Sequence, residues 1–92
     1  MTVDTIGDIY IADTGNNRIR KVTISTGLIT AVAGDGNMDS TKDNIAATST
    51  SLKSPTDVAV DPSGNMFIAD AGNFRIRKVT ASTGIITTIA GT

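Results

Sequence analysis

The chain has 92 residues, eight basic and nine acidic, a net charge of -1, 39% hydrophobic residues and 18% charged ones. That balance excludes a disordered tail and argues against a surface built for nucleic acid or an anionic membrane. No apolar run approaches the roughly 18 residues of a membrane span, and Met1-Thr2-Val3-Asp4 is no basic-then-apolar signal segment, so the expectation is a soluble chain of unknown compartment.

Cys, His and Glu are all absent. No disulfide, thiol nucleophile or thiolate metal site can form, and the commonest general base and zinc ligand is missing. Catalysis would rest on Asp, Lys, Tyr or Ser. What the chain has in excess is β-branched residues: 15 Thr, 12 Ile and 6 Val, or 33 of 92, which fit a pleated sheet.

In chain order, strands are predicted near residues 2–4, 9–13, 18–23 and 28–33. A polar connector follows over 36–57, with one short helical turn near 44–48. Four more strands are predicted near 57–61, 66–70, 75–80 and 85–90. Pro62-Ser63-Gly64-Asn65, Ala71-Gly72-Asn73-Phe74 and Ala81-Ser82-Thr83-Gly84 separate the second set as turn sequences do. Links of about four residues join consecutive strands as an antiparallel meander, because parallel pairing needs a long crossover.

The two sets are copies of one unit. Residues 1–35 align without a gap onto 58–92 at an offset of 57, with 21 of 35 positions identical, and Arg18-Ile19-Arg20-Lys21-Val22-Thr23 recurs unchanged at 75–80. The organisation is therefore blade 1 (1–35), connector (36–57) and blade 2 (58–92). Ile85-Ile86-Thr87-Thr88-Ile89 is apolar on both sides, so both faces of such a sheet need cover. Repeated four-stranded sheets that cover one another make a β-propeller, which closes at roughly four to eight blades. The predicted fold class is all-β: two four-stranded antiparallel propeller blades that complete a ring by homo-oligomerisation.

The strings IYIADTGNNRIRKV (9–22) and MFIADAGNFRIRKV (66–79), with the lead-in SPTDVAVDPSGN (54–65), resemble NHL repeats. The trailing STGLITAVAG and STGIITTIAG resemble long-period NHL blades of bacterial multi-repeat proteins. The resemblance spans nearly the whole chain and implies a propeller, most often six-bladed in this family. Two blades per chain then make a C3 homotrimer the favoured assembly, since a head-to-tail contact closes when its rotation divides a full turn. A four-bladed dimer, an eight-bladed tetramer and a piece of a longer protein are the alternatives. A chain bounded at blade borders also fits an excised or engineered unit.

Four sets of residues are candidates for function. Asp13 and Asp70 end the second strand of each copy, and Arg18 and Arg75 begin the third. They read either as a repeated channel site or as loop-holding groups, and their repetition favours the structural reading. Arg18 and Arg20 point to one side of their strand and Lys21 to the other, so no basic patch for nucleic acid is expected. Asp35, Asn37 and Asp39 open like a calcium loop, but the sixth position is Ser40 and the twelfth Ala46. No metal or other cofactor is therefore assigned, and calcium stays a weak candidate. Asn16, Asn17, Asn73 and Phe74 share the loop rim with the connector, where Phe74 serves either as a binding anchor or as packing beneath 45–52. The resulting expectation is a non-catalytic, self-assembling module with a scaffold face for a protein or small ligand. The alternative is part of an NHL-like propeller enzyme, lyase or lactonase in type, with an Asp-based calcium-type site.

Overall fold

Short β-branched runs between Gly, Asn and Asp turns fold as two antiparallel meanders. The computed structural model describes residues 1–39 and 41–91. The first sheet holds β1 (Thr2–Val3), β2 (Ile9–Asp13), β3 (Arg18–Thr23) and β4 (Leu28–Ala33), side by side in chain order. The connector contributes β5 (Ile45–Ala46), and blade 2 contributes β6 (Asp57–Val60), β7 (Met66–Asp70), β8 (Arg75–Val79) and β9 (Ile85–Gly91). These form a five-stranded sheet in the order β5-β9-β8-β7-β6.

The fifth strand corrects the expected pair of four-stranded blades. Ile45 and Ala46 pair with Ile86 and Ile85 on the open edge of β9. The Asn44 N–H donates to the Ile86 carbonyl at 2.8 Å, and the Ala47 N–H donates to the Gly84 carbonyl at 3.0 Å. Asn44 is left-handed at φ 62°, which blocks a helix start. The helical turn expected over 44–48 is therefore reduced to a 3-10 turn at Ala47–Ser49. An edge strand satisfies backbone groups that a short isolated helix would leave open.

Local chemistry sets the turns. The Asp4 carboxylate accepts the N–H groups of Ile6, Gly7 and Asp8 at 3.0–3.1 Å, and Asp61 accepts those of Ser63 and Asn65. Both sheets carry a bulge at the same point of the repeat, between Ile19 and Arg20 and between Ile76 and Arg77. Identical side-chain patterns give identical irregularities.

The core lies between the sheets. Blade 1 contributes Tyr10, Ile19 and Ala33; blade 2 contributes Val58, Met66, Ile68, Val79 and Ile86; the connector contributes Ala47 and Leu52. Ile19 is fully buried while its copy Ile76 is 38% exposed. The other faces reverse this: Ile68 and Ile86 are fully buried, and their copies Ile11 and Ile29 are 36% and 60% exposed. Each blade thus buries the face that its twin leaves open. Among the described residues no helix is long and apolar enough to cross a membrane.

Gly34 ties blade 1 to the connector: its N–H donates to the Ala47 carbonyl at 2.9 Å, its φ is +87°, and a Cβ there would strike the Asn17 carbonyl oxygen. Gly34→Ala is expected to cost about 1–3 kcal/mol of stability. Leu52→Ala, which empties a fully buried site, is expected to cost about 2–5 kcal/mol. Urea unfolding midpoints measure both.

Candidate functional site

The end of β2 and the start of β3 carry the same constellation in both blades. Asp13 lies opposite Arg18 in the ladder, and Asp70 opposite Arg75. The carboxylates bond to the next arginine on that face. Arg20 Nε donates to Asp13 Oδ2 at 2.7 Å, and Arg77 Nη1 donates to Asp70 Oδ2 at 3.3 Å. Asn16 Nδ2 donates to both Asp13 oxygens at 3.0–3.1 Å, and Asn73 Nδ2 donates to Asp70 Oδ2 at 2.9 Å. Arg20 and Arg77 are thus the partners that a cross-strand reading of Asp13–Arg18 and Asp70–Arg75 overlooks. The usable signal was the alternation that puts Arg18 and Arg20 on one side, from which the longer diagonal reach belongs to Arg20.

The two sites differ in what covers them. In blade 2 the connector caps the pair. The Lys53 N–H donates to Asp70 Oδ1 at 2.7 Å, and Asn73 Nδ2 reaches Thr41 Oγ1 at 3.0 Å. Arg77 Nη2 donates to the Lys42 carbonyl and, at 2.9 Å, to Asp43 Oδ1, which also accepts from Thr88 Oγ1 at 2.9 Å. Asp70 and Arg77 are fully buried. In blade 1, among the described residues, Arg20 bonds to Asp13 alone, and both side chains are partly open to solvent.

Arg18 donates to the Asp35 carbonyl oxygen at 3.3 Å. The Asp35 carboxylate accepts the Ser51 hydroxyl at 3.0 Å and the Asn37 N–H at 2.8 Å. Asp35 is therefore engaged in holding the connector. Asn37 and Asp39 are exposed, and Ser40, the sixth position of the calcium-loop comparison, lies outside the described residues. Among the described residues no three acids gather as a metal site would require.

On the loop rim, Asn17 and Phe74 occupy equivalent left-handed positions, each at φ 56°. Asn17 Oδ1 accepts the Ser54 N–H at 2.9 Å, and Thr14 Oγ1 donates to the Pro55 carbonyl at 2.7 Å, so this loop of blade 1 clasps the end of the connector. Phe74 is 80% exposed and does not pack beneath 45–52. It borders a groove of about 280 Å³ on the open face of blade 2, with Ala69, Ala71, Ile76 and Ala90.

Several carboxylates are held ionised. Hydrogen bonds from Arg20 and Asn16 hold Asp13 below the ordinary carboxylate range. Burial raises the Asp4 and Asp61 carboxyls, but N–H donors from Asp8 and Ile6, and from Asn65 and Ser63, outweigh it and leave both lowered.

Residues 52–79 match the family model described as NHL repeat. The chain is similar to Teneurin-1 of Caenorhabditis elegans, at 35% identity over 97 residues, covering 88% of this chain and 4% of that protein. Human Teneurin-4 is 38% identical over 92 residues, covering 86% and 3%. NHL repeat-containing protein 2 of Gallus gallus is 36% identical over 92 residues, covering 99% and 12%. The chain therefore spans only a small part of these relatives' lengths. A crystal structure of a structural genomics protein of unknown function from Bacteroides thetaiotaomicron VPI-5482 superposes with a TM-score of 0.80 at 23% identity. That match covers 95% of this chain and 22% of the other, and it shows a shared fold.

Asp70→Ala removes the buried one of the two carboxylates on Arg77 and leaves the Lys53 N–H without its acceptor; it is expected to cost about 3–5 kcal/mol, read from chemical unfolding. A carboxyl with a depressed folded pKa binds its proton less readily than the unfolded chain does. Asp4, Asp13 and Asp61, all lowered, thus contribute stability fully present above the ordinary aspartate value of about 3.9 and lost as the pH falls through the folded values. Unfolding midpoints are expected to hold from neutral pH to about 4 and to drop below it.

Proposed function

Because this chain belongs to the NHL-repeat family, we propose that it is a non-catalytic module that completes a β-propeller by head-to-tail association of its two open blade faces. The observation that carries this reading is the reversal of burial across the repeat. The face of blade 1 with Tyr10, Ile19 and Ala33 packs on the face of blade 2 with Met66, Ile68 and Ile86. The open face of blade 2, with Phe67, Ile76 and Ile89, copies the first. The open face of blade 1, with Ile9, Ile11 and Ile29, copies the second. A contact between two chains can therefore reuse a contact already made within one.

Such a contact joins different surfaces, so it propagates until it closes. Two blades per chain and a usual closure at four to eight blades favour three chains and six blades. Leaving the open faces in water would expose contiguous apolar surface of the kind that drives association. The rim residues Asn16, Asn17, Asn73 and Phe74 then form a scaffold face for a protein or small ligand.

Light scattering behind a sizing column tests the reading. A mass of about three times the 9.5 kDa chain is expected, and a cooperatively folded monomer at micromolar concentration would overturn it. Ile29→Lys and Ile76→Asp each place a charge on one open face and are expected to return the chain to lower mass. Exchange of the exposed Thr26, outside both faces, is expected to leave it unchanged.

A further inference from the structure

The outer edge of blade 1 is built to receive a strand that it does not hold. Blade 2 shows what the strand looks like, because residues 41–47 occupy the same place there. Ile45 and Ala46 pair with Ile86 and Ile85 of β9. The N–H groups of Asn44 and Ala47 donate to the carbonyls of Ile86 and Gly84. Arg77 takes the Lys42 carbonyl and the Asp43 carboxylate.

Each acceptor has its copy in blade 1 at the offset of 57. Ile29 and Leu28 stand for Ile86 and Ile85, Gly27 for Gly84, and Arg20 for Arg77. In blade 1, β4 is the edge of its sheet. Leu28 is 63% exposed on this edge, whereas its copy Ile85, paired with the connector, is partly buried. Arg20 already bears the orientation set by Asp13. Two changes fall among these positions: Leu28 stands for Ile85, and Ala31 replaces Thr88, which removes the hydroxyl that donates to Asp43 but leaves the arginine partner.

We infer that the β4 edge of blade 1, together with Arg20, is a docking site for an extended segment with the pattern of residues 42–46: a carbonyl and an aspartate presented to Arg20, then an apolar pair laid along Leu28 and Ile29. The recognition is strand addition, in which main-chain hydrogen bonds supply affinity and side-chain contacts supply register. The aspartate fixes the register, because a carboxylate two residues before the isoleucine meets a guanidinium held by Asp13 through a charge-assisted hydrogen bond of the kind Arg77 makes to Asp43. The site goes beyond ring closure. In blade 2 the sheet face is covered by blade 1 while the edge is covered by the connector, so an edge segment and a neighbouring blade bind side by side.

The test uses a synthetic peptide of residues 41–54, titrated into the full chain by calorimetry, with the mass of the chain measured in the same buffer. Saturable binding at one peptide per chain is expected. The peptide carrying Asp43→Ala and the chain carrying Arg20→Gln are each expected to weaken it about tenfold or more, with little added loss when the two are combined. Absence of saturable binding would overturn the inference, as would undiminished binding of the Asp43→Ala peptide, which needs no change to the protein. Binding unaffected by Arg20→Gln would place the peptide elsewhere and also overturn it. A trimer mass without peptide binding removes this inference and leaves the ring; peptide binding to a monomer removes the ring and leaves this inference.

Discussion

A four-stranded blade with two apolar faces cannot be stable beside water on both of them, and this constraint organises the chain. Blade 1 solves half of the problem by laying Tyr10, Ile19 and Ala33 against Met66, Ile68 and Ile86 of blade 2. The hydrophobic effect supplies the drive, scaling with the apolar area withdrawn from water. The same contact leaves the outer face of each blade uncovered. The open outer faces, the rim and the open β4 edge are consequences of where that single interface ends.

The connector is the second element on which the interface depends. It leaves blade 1 near Gly34, contributes β5 to the edge of the second sheet, buries Leu52, and returns between the two loops that end β2 and β7. On the way it supplies the groups that a buried charge needs. Asp70 and Arg77 are taken fully out of water, a cost offset by the partners that the Asp70 oxygens and both terminal guanidinium nitrogens find, while Arg77 Nε is left without one. Lys53, Lys42 and Asp43 supply those partners. The blade 1 copy of the pair stays partly solvated, so the same residues cost less to hold there and remain available for contact.

Much of this was legible in the chain itself. The offset of 57, the β-branched runs and the turn residues identify two antiparallel meanders, because backbone pairing and tight turns are local properties that short-range sequence determines. The fifth strand was not legible. Asn44-Ile45-Ala46-Ala47 has no strand periodicity of its own, and its conformation is set by the open carbonyls of β9, which lie far away in sequence. The Asp–Arg site was legible as a repeated polar pair but not as Asp13–Arg20, since the ladder register places Arg18 opposite and it is the folded connector that engages Arg18 at the Asp35 carbonyl while Arg20 bonds to Asp13. Nothing in the string separates Asp70, wholly buried, from Asp13, partly open.

The sequence by itself determined the all-β class, the two repeats, the NHL resemblance and the lack of His, Cys and Glu, all of which follow from residue identity and spacing. Only the tertiary structure decided which copy of each residue is buried. Residues 11 and 68, 19 and 76, and 29 and 86 are identical isoleucines, and what distinguishes them is which sheet happens to have the other on its flank. Burial belongs to the packed pair of blades rather than to either repeat, so identical isoleucines take opposite roles: one as core, the other as open surface.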